Sequence, residues 1–159
     1  MWTARKLSVA LAVLALSSCA TLRTAAFDLG ELPPAWRAVT RPGARFVAHH
    51  AAGGTIVANS ACNVSDSDAP LDVLTNHLLF ELQDVREHGR TALTLSGRGA
   101  LRTTLEAKLD GVPIALDLVV LKTDGCSVDL QLVAAPATIE ARRADFDAFV
   151  GHFHLQRAH

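Results

Sequence analysis

Between residues 101 and 134 hydrophobic and polar side chains follow the two-residue period of extended chain. Leu101, Thr103, Leu105, Ala107 and Leu109 fall on one side, and Arg102, Thr104, Glu106 and Lys108 on the other. That is the pattern of a strand with one covered and one polar face. Asp110-Gly111 supplies a two-residue hairpin turn. The next run, Val112 to Lys122, is apolar on both sides except at Asp117, as expected of a central strand covered on both faces. Asp124-Gly125 turns the chain again into Cys126 to Ala134, where Cys126, Val128, Leu130 and Leu132 share one side against Ser127, Asp129 and Gln131. Upstream, the short segments 36–40, 45–50 and 55–62 are separated by Pro42-Gly43 and Gly53-Gly54, which predicts a three-strand meander.

Two stretches carry a helical period instead. Leu71, Leu74, Leu78, Leu82 and Val85 recur at three and four residues, with Leu79 widening the stripe. This predicts a helix over 70–85, with Asp68 as its cap and Pro70 in its first turn. At the other end Phe146, Phe149, Val150 and Phe153 form the stripe of a helix over 139–153, preceded by Pro136 and by Thr138 as its cap. Strands, a helix, antiparallel strands and a closing helix make an α+β layout. The expectation is a twisted antiparallel sheet of about six to seven strands with two main helices on its faces.

The first residues read differently. Arg5 and Lys6 precede an apolar run from Leu7 to Leu16, too short for the roughly 20 residues that span a bilayer but right for an export signal. Leu16-Ser17-Ser18-Cys19 follows and resembles the lipobox of bacterial lipoproteins. The resemblance implies that residues 1–18 are a lipoprotein signal peptide, that Cys19 is acylated as the first mature residue, and, with Ala20 next, that the protein sits on the outer membrane facing the periplasm. The lipid anchor would make the membrane its first partner. Residues 19–34, with Thr21, Thr24, Gly30 and Pro33-Pro34, read as a tether, and residues 35–159 as a single domain. In an exported chain disulfides persist. With Cys19 committed to lipid, Cys62 and Cys126 remain, and they are expected to pair, closing a loop that contributes about 4 kcal/mol in the chain-entropy account.

The element order over 36–153 and its phenylalanine-rich closing helix resemble the PsbP-like fold, shared with envelope lipoproteins of the DcrB-like type. Asn59-Ser60-Ala61-Cys62, Asp68-Ala69-Pro70-Leu71, Gly89-Arg90-Thr91-Ala92-Leu93, Asp110-Gly111-Val112-Pro113 and Gly125-Cys126 are similar to segments of uncharacterised lipoproteins of deltaproteobacterial type. That likeness implies an accessory part in envelope transport, including that of phospholipids, and identifies no catalytic residue.

Charge and candidate chemistry narrow the field. A formal net charge of −1, which becomes more negative once Arg5 and Lys6 are removed, excludes the basic excess of a nucleic-acid binder. His49 and His50 are neighbours on one strand and point to opposite faces, so they cannot chelate one metal together; His152, His154 and His159 lie at the end of the chain. Ser60 and Ser65 flank Cys62 near Asp66 and Asp68, without a Gly-x-Ser-x-Gly elbow. The acid pairs Asp66/Asp68 and Asp145/Asp147 read as solvated side chains. Gly53-Gly54 and Gly97-Arg98-Gly99 lack the lysine of a phosphate loop. No catalytic set, metal or cofactor is expected, and the chain is not read as an enzyme. Arg86, Arg90, Arg98 and Arg102 are the candidate partner-binding residues, expected to gather at one sheet edge to meet phosphate head groups or an acidic partner. The reading that ranks first is a non-catalytic binding or adaptor module with an envelope protein partner. The alternative is a carrier of a phospholipid or other small apolar ligand, which needs a cavity between sheet and helix.

Overall fold

A computed structural model describes residues 25–62 and 68–156. The elements run β1 (Phe27–Asp28), β2 (Trp36–Val39), β3 (Phe46–His50), β4 (Thr55–Ala61), α1 (Leu71–Leu78), β5 (Gln83–Leu95), β6 (Arg98–Leu109), β7 (Val112–Thr123), β8 (Cys126–Ala134), α2 (Glu140–Gly151) and β9 (His154–Leu155). Seven strands form one antiparallel sheet in the order β2-β3-β4-β8-β7-β6-β5, and β1 pairs with β9 beside it. The α+β layout with two helices is as expected.

Strands β5 to β8 are joined by three two-residue turns. At Ser96-Gly97, Asp110-Gly111 and Asp124-Gly125 both residues have positive φ, between 48° and 79°. This is the type I′ geometry that matches the twist of the flanking strands and that Asp-Gly accommodates. The middle of β7, Ala115 to Leu121, is buried throughout, because the two helices lie on opposite faces. Ala115, Val119 and Leu121 join the main core with Phe146, Phe149, Val150 and Phe153 of α2 and Ile56, Ala58, Val128, Leu130 and Leu132 of the neighbouring strands. Leu118 and Val120 face Leu74 of α1, and Leu116 packs with Leu105 and Ala107. Cys62 and Cys126 form the expected disulfide.

The expected helix over 70–85 is corrected. The helix stops at Leu78, and residues 83–95 are the edge strand β5, paired with β6 from Gln83↔Lys108 to Leu95↔Arg98. Tertiary pairing overrides the local period here. Two register shifts, between Gln83 and Arg86 and between Glu87 and Gly89, break the alternation that marks a strand and leave a three-to-four spacing at Leu78, Leu82 and Val85. Neither expected cap is made. The N-cap position of α1 is Pro70 and that of α2 is Ile139, both without a side-chain bond, and Thr138 instead donates to the Ala135 carbonyl.

The folded body also starts earlier than the expected tether boundary at residue 34. Ala25 and Phe27 are buried in the main core, the Ala25 N–H donates to Ser60 Oγ at 2.8 Å, and the Phe27 ring lies 5.4 Å from that of Phe153. Gly30 passes so close to the Cβ of His152 that any side chain there would force the two segments apart. The expected signal peptide and the expected lipidation site at Cys19 lie outside the described residues.

Candidate functional site

The one acid of β7 is the centre of a network. Asp117 is fully buried. Its Oδ1 accepts from Arg102 Nε at 2.7 Å, and its Oδ2 from Arg102 Nη2 and Arg143 Nη1, both at 2.6 Å. Alternation sends Asp117 and Arg102 to the same face of β7 and β6, while α2 lowers Arg143 onto them. The outer ends of both guanidinium groups are held in turn. Arg102 reaches Asp147 at 2.6 Å, and Arg143 grips Glu140 through two bonds of 2.7 and 3.1 Å. Hydrogen bonding to Asp117 raises the Arg102 pKa further above its already high range, and Glu140 does the same for Arg143, while Arg143 lowers the Glu140 carboxyl. Trp36 Nε1 donates to Asp145 Oδ2 at 2.8 Å, and Arg142 donates to the Gly53 and Ala52 carbonyls. Asp145 and Asp147, read above as solvated acids, are thus docking contacts, and the polar residues of α2 serve to seat the helix.

α2 leaves the β5–β6 side of its face open. There two adjoining depressions of about 460 and 490 Å³ share Glu106 and Pro136. His88, Thr104, Glu140 and Arg143 line one, and Asp84, Arg86, Lys108 and Ile114 the other. Most of their charges are already paired, Lys108 with Asp84 and Arg143 with Glu140, both at 2.7 Å, and His88 Nε2 lies 3.7 Å from Glu106 Oε1. The Lys108 ammonium holds the Asp84 carboxyl below its ordinary value. Among the described residues no group of three or more His, Cys, Asp and Glu side chains is placed to hold a metal. His49 and His50 point to opposite faces, the first to Thr55 Oγ1 and the second accepting the Ala52 N–H.

The four candidate arginines are not brought together. Arg98 is at the turn end of the sheet, paired with Asp124 at 3.0 Å, and Arg102 is in the α2 network. Arg90 lies on the α1 face, bonded to Asn76 and Glu87. Arg86 opens onto the groove of the other face. The bulge at 87–89 separates Arg86 from Arg90: it adds one residue and so reverses which side of the sheet the following side chains take.

What the sequence reading missed is an apolar tip. Phe80, Val85, Leu109 and Val112 are exposed, Phe80 at 90% and Val112 at 61%. They surround the end of the sheet marked by the Asp110-Gly111 turn, where α1 ends and Gln83 pairs with Lys108. Leu109 and Val112 flank the Asp110-Gly111 turn without cover, whereas Leu95, Thr123 and Cys126 beside the other two turns are buried, so the sequence carries no signal that sets this tip apart. The chain enters at the opposite end, where Ala25 meets Ser60 near the Cys62–Cys126 bond. The twelve residues of β7 separate the two ends by about 40 Å.

No family model and no curated protein matches the chain. Solved structures match its fold. LpqN of Mycobacterium tuberculosis, described as involved in cell envelope biogenesis, aligns with a TM-score of 0.64 at 15% identity over 82% of this chain and 83% of that one. A Pseudomonas aeruginosa protein of unknown function gives 0.55 at 16% identity, covering 86% and 87% of the two chains. Cyanobacterial PsbP from Synechocystis gives 0.52 at 13% identity, covering 89% and 99%. The fold is PsbP-like. Among the described residues no helix is long and apolar enough to cross a membrane.

Proposed function

We propose that this protein is a lipid-anchored, non-catalytic binding module that faces the periplasm from the outer membrane and serves envelope transport or assembly by docking another envelope protein. The observation that carries this reading is the apolar tip of Phe80, Val85, Leu109 and Val112, at the end of the sheet opposite Ala25. Exposed apolar side chains grouped at one end and bordered by charged residues are the signature of an interaction surface. Cys19 precedes Ala25 by six residues, a reach of about 20 Å, so a lipid on that thiol would hold the chain by the end remote from the tip.

Two further findings support docking over chemistry or carriage. The acids and arginines of α2 are spent on seating the helix. Fully buried Phe146, Phe149 and Phe153 fill the space between sheet and helix in which a carrier would need its cavity. The envelope-biogenesis description of the LpqN structure agrees with the setting.

The test places a photo-crosslinking amino acid at position 80, 112 or 124 of the protein in its own cells and reads the mass of Cys19. Adducts of one defined size from positions 80 and 112 and none from position 124, with an acylated Cys19, are expected. Adducts equally frequent at all three positions would overturn the docking tip, and an unmodified Cys19 thiol would overturn the anchor.

A further inference from the structure

The sheet has two edges, and they are not alike. β2 offers four residues between Pro33-Pro34 and Pro42. β5 offers thirteen, and its two halves differ. From Gln83 to Gly89 the edge carries both register shifts and the charges of Asp84, Arg86 and Glu87, the usual devices that discourage a further strand. From Gly89 to Leu95 the register with β6 is regular, from Gly89↔Thr104 to Leu95↔Arg98. Beyond Arg90 this stretch is Thr91-Ala92-Leu93-Thr94-Leu95, uncharged and of high strand preference apart from its alanine. Thr91, Ala92 and Thr94 are exposed.

The hairpin geometry says which backbone groups face outward. A two-residue turn makes its flanking residues, Leu95 and Arg98 here, a hydrogen-bonded pair, and bonded and non-bonded pairs then alternate along the ladder. Leu93 and Thr91 therefore spend their N–H and C=O groups on β6. Ala92 sits midway between Arg90 and Thr94, and these three turn theirs away from the sheet.

We infer that this edge pairs with the same edge of a second copy of the chain, antiparallel and centred on Ala92. Two-fold symmetry places Ala92 opposite Ala92 and Arg90 opposite Thr94, which joins the copies by about six backbone hydrogen bonds. No like charges meet, because each Arg90 opposes a threonine and keeps its own Glu87 at 2.7 Å. The bulge on one side and the Ser96-Gly97 turn on the other limit the contact to this segment, so the register has one centre. The short, proline-bounded β2 edge does not offer a matching surface, so pairing closes at two copies instead of growing into a fibre. The apolar tip stays open, and the proposal stands apart from the anchor and docking reading.

The test uses the full chain carrying Cys19→Ser, so that only introduced thiols react. Opposed residues in a bonded pair have Cα atoms about 5.5 Å apart, within disulfide reach, whereas the two Thr94 positions would be about 14 Å apart. Under mild oxidation the Ala92→Cys variant is expected to form a covalent dimer and Thr94→Cys to remain monomeric. Native mass spectrometry should show a concentration-dependent dimer that Ala92→Pro lowers at least tenfold. The proline removes only an outward N–H, so the unfolding midpoint should hold. Equal crosslinking of the two cysteine variants, a dimer unaffected by Ala92→Pro, or a monomer at every concentration would each overturn the pairing. The Ala92→Cys and Thr94→Cys comparison decides the matter by itself if the proline variant does not fold.

Discussion

Arg102 and Asp117 face each other across β6 and β7 in a two-pronged ion pair of 2.6 and 2.7 Å, with the carboxylate wholly buried and the guanidinium partly in water. A buried carboxylate is tolerable only while its partners remain. Arg102→Ala leaves Asp117 with Arg143 alone and is expected to cost about 3 kcal/mol in unfolding free energy. Replacing both residues together, Arg102→Met with Asp117→Leu, should cost less than the single change, because the wholly buried carboxylate goes with its partner and Arg143, at 28% exposure, keeps Glu140. Denaturant titration of the two variants checks the order.

Phe149 is buried in the main core, with Phe46 stacked against it at 5.7 Å and Phe146 at 6.4 Å. Phe149→Ala should lose about 3–5 kcal/mol. An unfolding midpoint equal to that of the parent would refute the seating of α2 on the sheet.

The Cys62–Cys126 bond closes a loop of 64 residues. Reduction, or Cys62→Ser with Cys126→Ser, should lower stability by about 4 kcal/mol, measured as a fall in the thermal midpoint on adding reductant to the parent and no such fall in the double variant.

Asp129 is buried on the α1 side of β8, and burial raises its pKa against the opposing bond from Gln131. A carboxyl whose folded pKa is raised favours the folded state most when protonated, and that advantage is lost as pH rises through the folded value. Asp129→Asn should therefore raise the thermal midpoint at pH 7. The gain should vanish below the ordinary aspartate value of 3.8, where both states of the parent are protonated. Midpoints measured from pH 3 to 8 for the two proteins give the answer.

The strands β6 and β8 were legible because their alternation is clean, β7 because an apolar run lies between two Asp-Gly turns, and the sealing role of Phe146 and Phe149 because the stripe that runs on to Phe153 repeats over two helical turns. β5 was not, since its two bulges shift the phase and a leucine spacing from Leu78 to Val85 imitates a helix. The pairing of Phe27 with Leu155 was hidden for another reason: two-residue strands have no period to read. Asp117 stood out as a lone charge in an apolar run, yet its partners come from β6 and α2, and only the fold brings them together. The arginines of 86–102 share a stretch of sequence and not a surface, because faces alternate and one bulge reverses them.

The strand order also sets a sequence of events for the growing chain. β5 to β8 are consecutive neighbours joined by two-residue turns, so this half can form from contacts close in sequence and at little loop-closure cost. β2 to β4 attach to the sheet only through β4 against β8, the last long strand of the chain. The part that emerges first must therefore wait for the part that emerges last. Until β8 and α2 arrive, the apolar side chains of Ala48, Ile56 and Ala58 have no core to join. A chain delivered amino end first, by whatever route, would need that meander kept from other partners in the interval.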